Sequence, residues 1–159
     1  MKTCDWENWI PKERSVLCYV LDVHQVLLIH KKRGFGAGKV SAPGGRIESG
    51  ETPLAAAVRE TQEEVGITPS HPVERGQLAF QFQNGHSIHC IVFLARRFTG
   101  RLIETDEAKP IWTDRNKIPY SLMWQDDAVW LPGVLKGRGF RASFTFNEER
   151  MQDYAIEWE

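Results

Sequence analysis

The amino-acid sequence predicts an α/β protein with a mixed β-sheet and helices on its faces. Three observations carry this reading. Short runs rich in β-branched and aromatic residues recur along the chain, one long segment has the period and end signals of a helix, and the strands stand in both hairpin and crossover contexts. The 159 residues suffice for one domain with a real core. At 42% apolar and 26% charged, the composition is that of an ordinary globular chain.

In order, Val16 to Leu21 and Val26 to Ile29 are β-rich runs split by Asp22-Val23-His24, which reads as a hairpin. Residues 1–14 precede it as an N-terminal extension, and 15–159 form a single expected domain. A basic, Gly-rich loop follows, Lys31-Lys32-Arg33-Gly34-Phe35-Gly36-Ala37-Gly38-Lys39, and then a turn at Ala42 to Gly45. Pro53 to Val65 is the strongest helix. Thr52 suits its N-cap, Pro53 its first position and Gly66 its stop. Leu78 to Phe82 alternates with period two, and Ile88 to Leu94 is a stronger strand behind an Asn84-Gly85 turn. Ile111-Trp112 is a short strand. Asp126 to Leu135 reads as a helix with an acidic start, although Pro132-Gly133 fits poorly inside it. Phe140 to Phe146 and Tyr154 to Trp158 close the chain as strands.

On the helix, residues three and four apart share a face, so Glu60, Glu63 and Glu64 cluster within an arc of about 100°. Leu54, Ala57, Val58, Thr61 and Val65 fill the adjoining arc, which is expected to face the core. Like charges at this spacing cost a helix roughly 0.2–0.5 kcal/mol per pair. Arg59 offsets part of that through Glu63. A divalent cation offsets more, and hard oxygen ligands suit Mg²⁺ or Mn²⁺. Three glutamates alone would more simply be a solvated acidic face.

Their surroundings change that weighting. Gly45, Glu51, Arg59-Glu60, Glu63-Glu64 and Gly66-Ile67 stand at fixed gaps, and this pattern resembles the Nudix box. Every charged and glycine position matches, and Thr61 replaces the usual aliphatic residue. The resemblance implies an α/β/α sandwich around a central mixed sheet, and hydrolysis of a nucleoside diphosphate linked to a further group. It implies that Glu60 and Glu64 are principal metal ligands, with the Gly44 carbonyl as another and Glu63 adding charge or acting as base. It gives Gly45, Glu51 and Arg59 a supporting role, the last two through an ion pair that orients loop and helix.

The Gly-rich loop is not a P-loop. Gly34 is one residue too close to Gly38, and Val40 follows Lys39 where a hydroxyl residue is needed. Lys31, Lys32, Arg33 and Lys39 remain candidates for phosphate contact as point charges.

Lys31 to Gly38, Thr105 to Trp112 and Met123 to Pro132 resemble the branch of the same family that hydrolyses oxidised purine nucleoside triphosphates. That resemblance implies a purine-reading wall of Trp124, Asp126 and Asp127, a pocket-lining Phe35 and a late acidic residue, Glu107, near the metals. The chemistry agrees. A purine offers a flat face for stacking, and two neighbouring buried carboxyls share one proton, giving one donor and one acceptor. Taken alone, the aspartates would suit an N-cap and Trp124 the core. The branch's pocket asparagine falls at Ser41, which lacks an amide.

The expected reaction is metal-assisted hydrolysis to the nucleoside monophosphate and pyrophosphate, clearing oxidised nucleotides, with Mg²⁺ as cofactor and Glu63, Glu64 and Glu107 as the catalytic carboxylates. A different nucleoside diphosphate derivative is the alternative substrate, and a non-catalytic nucleotide sensor a further one. A net charge of −1 gives no bulk attraction to polymeric nucleic acid. No apolar run is long enough for a membrane span. Three cysteines without a paired spacing suggest a reducing, cytoplasmic setting. Nothing in the sequence indicates an oligomeric state.

Overall fold

The computed structural model describes residues 4–159. Residues 1–3, the start of the expected extension, lie outside the described residues. Trp6–Asn8 form one 3₁₀ turn. The Trp9 indole N–H then donates to the Gln81 side-chain oxygen (2.9 Å), and the Lys12 backbone N–H to Ser87 Oγ (2.9 Å), so this segment is pinned to the sheet.

Eleven strands and two helices follow. They are β1 (Glu13–Val20), β2 (Gln25–Lys31), β3 (Val40–Ser41), β4 (Gly44–Arg46), α1 (Pro53–Val65), β5 (Ile67–Ser70), β6 (Val73–Phe82), β7 (Ser87–Ala95), β8 (Arg97–Gly100), β9 (Ala108–Asp114), α2 (Asp127–Leu135), β10 (Phe140–Asn147) and β11 (Arg150–Trp158). The main sheet has six strands in the order β11-β10-β6-β7-β1-β4, with β3-β2-β9 and β5-β8 as smaller sheets. It is mixed. β1 runs parallel to β7 and β10 parallel to β6, while the other neighbours are antiparallel.

Alternation along the strands divides two cores. Val16, Cys18 and Val20 of β1 join Ile91 and Phe93 of β7 under Ala56, Ala57 and Val65 of α1. Tyr19 and Leu21 join Leu78, Cys90 and Val92 against Trp130 and Leu131 of α2. The sheet is therefore covered by a helix on each face, which is the expected α/β/α arrangement.

Several elements differ from expectation. β1 and β2 are not a regular hairpin. They belong to different sheets, and the pairing between these two segments is confined to the Leu21–Val26 bridge. The cause is the unbroken apolar run in β1, which is buried on both faces, so the strand sits inside the sheet between β7 and β4. β6 and β11 begin earlier than their apolar runs, and β3, β4, β5 and β8 are too short to show a period.

The caps of α1 are as expected. Ala55 N–H donates to Thr52 Oγ1 (3.1 Å), and Gly66 takes a left-handed φ of 81°. Its buried stripe is rotated, however. Leu54 is exposed and Val58 only partly covered, while Ala56 and Glu64 lie inside. Small side chains let α1 approach the sheet closely, and the stripe takes in Glu64. Pro132 is tolerated in α2 because Trp130, Leu131, Val134 and Leu135 are all buried around it. Gly133 is required where it stands, since a Cβ would overlap the Trp158 ring.

Candidate active site

The C-terminal half of α1 places its glutamates against β4 and the loop before β9. Carboxylate oxygens of Glu60, Glu64 and Glu107 all lie within 4.8 Å of one another. Glu107 reaches the helix through Thr105, whose hydroxyl donates to the Glu64 backbone carbonyl (2.7 Å) and accepts the Glu107 N–H (3.2 Å). Gly45 makes the space. A Cβ there would stand 2.5 Å from the Glu60 carboxylate. Glu63 lies outside this group, exposed, with Arg59 at 3.2 Å.

Arg59 is the local anchor. Its Nε meets Glu51 Oε2 at 2.7 Å and Nη2 meets Glu51 Oε1 at 2.9 Å, while Nη2 also reaches the Arg46 carbonyl and Nη1 reaches Glu60 at 2.8 Å. This two-toothed pair ties the loop to the helix. Arg59 also holds the Glu51 carboxyl down to about 2. Burial pushes Glu60 up, against the pull of Arg59. Burial and then the Glu60 charge push Glu64 up to about 8, opposed by Lys31 and a backbone hydrogen bond from Gly44. Buried carboxylates crowded at this distance repel, and a cation relieves both the repulsion and the desolvation. The donor set is all hard oxygen, without His or Cys, which fits Mg²⁺ or Mn²⁺.

Next to the acids opens a cavity of about 570 Å³, walled in part by Lys31, Ser41, Gly44, Glu64, Trp124 and the Asp126-Asp127 pair. Phe35 stacks on Trp124 (centroids 5.2 Å apart, planes at 12°), and Lys39 Nζ stands 5.0 Å from the same indole. Phe82 and Phe146 meet Trp124 edge to face. Gly36 is pressed against the indole nitrogen, where a Cβ would be 3.0 Å away. Of the basic cluster, Lys31 and Lys39 line the cavity, Lys39 also pairing with Glu149 (2.7 Å), whereas Lys32 pairs with Glu104 and Arg33 with Glu107 (3.3 Å).

Asp126 and Asp127 are buried at the start of α2. Asp126 holds the N-cap position without capping. Its Oδ2 instead accepts the Trp130 indole N–H at 2.8 Å, so Asp126 suits the ionised partner and Asp127 the protonated one. Burial pushes both carboxyls up, and Asp126 pushes Asp127 further. A folded-state pKa above the unfolded value means stability that is full below pH 3.8, the ordinary value, and lost as pH rises through the folded value. The Tm of the metal-free protein is therefore expected to fall from mildly acidic to alkaline pH. Asp127→Asn should flatten that fall, and an unchanged slope by calorimetry would contradict the shared-proton description.

Sequence reasoning missed Thr105, Tyr19, Phe82 and Phe146. Only a Thr two residues ahead of a Glu hinted at the first, and the others lie in plain apolar runs.

Comparison with known proteins decides the family. A model of the NUDIX domain matches residues 11–134. The chain belongs to the NUDIX family. Among curated relatives it is 40% identical to an oxidized purine nucleoside triphosphate hydrolase of Danio rerio, over 82% of this chain and 84% of that protein. It is 34% identical to the protein of the same name from Mus musculus, over 84% of this chain and 86% of that one. A crystal structure of a mutator MutT protein from Bacillus halodurans superposes with a TM-score of 0.80 at 27% identity, covering 91% of this chain and 97% of that one. NUDIX hydrolases generally need a divalent metal, and an acidic cluster is present in this chain. Among the described residues, no helix of this NUDIX protein is long and apolar enough to cross a membrane.

Proposed function

We propose that this chain hydrolyses oxidised purine nucleoside triphosphates, 8-oxo-dGTP foremost, to the monophosphate and pyrophosphate, using Mg²⁺. The carrying observation is that one cavity is lined both by Glu64, a member of the acidic cluster, and by an aromatic wall beside a buried carboxyl pair. The names of the relatives support the substrate class.

Glu60, Glu64, Glu107 and the Gly44 carbonyl would hold the metal, and Glu51, Arg59 and Gly45 would keep them in place. A divalent cation bound there neutralises phosphate oxygens and makes a water more acidic. Lys31 meets the phosphates from the cavity wall. Phe35 and Trp124 share the stacking surface for the base, while Asp126 accepts from and Asp127 donates to its polar edge. Water attacks a phosphorus of the triphosphate, the α–β bridging P–O bond breaks to give the monophosphate and pyrophosphate, and a carboxylate takes the water's proton. For that role Glu107 stands inside the cluster, although Arg33 also reaches it, whereas Glu63 lies outside the cluster and pairs with Arg59. Glu107→Gln should therefore lower kcat more than Glu63→Gln, and the reverse order in a pH–rate comparison would move the base to Glu63.

Ser41 tempers the base preference. Its hydroxyl donates to the adjacent Ala42 carbonyl (3.2 Å) and cannot give two amide contacts. Discrimination between 8-oxo-dGTP and dGTP is thus expected to be modest, because a site selects strongly only where each buried polar group finds a partner. Ser41→Asn should tighten binding of the oxidised base by about 1 kcal/mol, one hydrogen bond. No gain in kcat/KM for 8-oxo-dGTP over dGTP in this variant would show that position 41 does not face the base. The same observation keeps another nucleoside diphosphate derivative as the second reading. A panel of nucleotides with Mg²⁺, scored for pyrophosphate or phosphate-ester products, separates the two. Intact box carboxylates speak against a non-catalytic sensor.

A further inference from the structure

Tyr19 is a polar side chain of the cavity that no role described so far uses. It lies on β1 with its side chain on the α2 side of the sheet, is 1% exposed, and lines the cavity. Its ring packs edge to face on Trp130 (centroids 5.9 Å apart, planes at 77°). The same Trp130 holds Asp126 through its indole N–H. One rigid indole therefore sets the position of both the tyrosine and the carboxyl pair.

Among the described residues, every fully enclosed side-chain polar atom has a hydrogen-bond partner. Among the same residues the Tyr19 hydroxyl has no partner, so it is not fully enclosed, and the residue it belongs to lines the cavity. A phenol held only for packing would gain nothing from its oxygen, since an unpaired polar atom in such a place is unfavourable. Phenylalanine would serve better. Burial and the adjacent Asp127 and Asp126 also push Tyr19 well above the usual tyrosine range, so it keeps its proton throughout the neutral range.

We propose that the Tyr19 hydroxyl is a specificity-determining contact that donates to a carbonyl oxygen of the bound base, beside Asp127. The inference rests on the nucleotide-pocket reading above and deepens it. Tyr19 adds a fixed donor at the cavity wall, where Ser41 is too short to supply the amide contacts of an asparagine. Asp126 and Asp127 then read one part of the base edge and Tyr19 an exocyclic oxygen. Bases without such an oxygen leave the hydroxyl unpaired and are disfavoured.

The test is Tyr19→Phe, assayed with Mg²⁺ on 8-oxo-dGTP and on 2-aminopurine deoxyribonucleoside triphosphate, whose base has no carbonyl. KM for 8-oxo-dGTP should rise about five- to tenfold, with kcat within about twofold. KM for the carbonyl-free analogue should stay within about twofold. The Tm should be unchanged or higher, because no intramolecular bond is lost. An unchanged KM for 8-oxo-dGTP, or an equal rise for both substrates, overturns the proposal. So does a drop in Tm of about 4 °C or more, which would make the hydroxyl a structural bond. Failure of the wild-type protein to turn over either purine while hydrolysing another nucleotide would instead overturn the substrate reading, and this contact with it.

Discussion

Glu64→Gln is expected to remove divalent-cation binding and to lower kcat by about a hundredfold or more, while the protein stays folded. Glu60→Gln should do the same. Each loses a charged ligand from a cluster whose oxygens lie within 4.8 Å of one another. Glu64 is buried, not on an open helix face as the sequence suggests. With its carboxyl pushed up to about 8, it is mostly protonated at neutral pH without a cation. Glutamine copies that neutral form, so the metal-free Tm should hold or rise. The rise in Tm that added Mg²⁺ or Mn²⁺ gives the wild-type protein should disappear. Calorimetric titration with either ion, alongside turnover, provides the check. A variant that keeps most of its activity in saturating Mg²⁺ would remove Glu64 from the ligand set.

Trp124→Ala should raise KM for purine triphosphates by roughly 5- to 150-fold, the equivalent of about 1–3 kcal/mol of lost base stacking. Phe35 lies flat on the indole and Phe82 and Phe146 meet it at their edges, so truncation also loosens the aromatic wall. Some loss of stability is therefore expected, and Trp124→Phe should restore part of both. Steady-state kinetics with a purine and a pyrimidine triphosphate separates the two effects. An equal rise in KM for both would mean that Trp124 supports the cavity without touching the base.

The parts of this molecule written locally are legible in its sequence. Thr52, Pro53 and Gly66 mark the ends of α1 because caps depend on a few neighbouring residues. The spacing from Gly45 to Ile67 locates the acids and the Glu51–Arg59 pair, because a helix converts spacing into direction. Glu107 is different. It joins the cluster through a Thr105 hydroxyl and a loop far along the chain, which only family resemblance could indicate. The hairpin expected of β1 and β2 does not form, and a run such as Val16 to Leu21 does not say which strands flank it. Its parallel partner, β7, is 75 residues away, Val16 lying opposite Ile91. The rotation of the α1 stripe follows from the burial of Glu64, since an isolated helix pattern assigns a carboxylate to solvent. Tyr19 is hidden in the same way, because its phenol lies within an apolar run and acquires meaning only beside Trp130 and Asp127.

The most direct test of the central claim is kcat/KM for 8-oxo-dGTP and dGTP with Mg²⁺, read as pyrophosphate release by the wild-type protein. The account predicts that both are hydrolysed to the monophosphate, with 8-oxo-dGTP preferred by a modest factor that Ser41→Asn enlarges. Negligible turnover of 8-oxo-dGTP alongside brisk hydrolysis of another nucleotide would contradict the substrate assignment and leave the NUDIX chemistry of the carboxylate cluster in place.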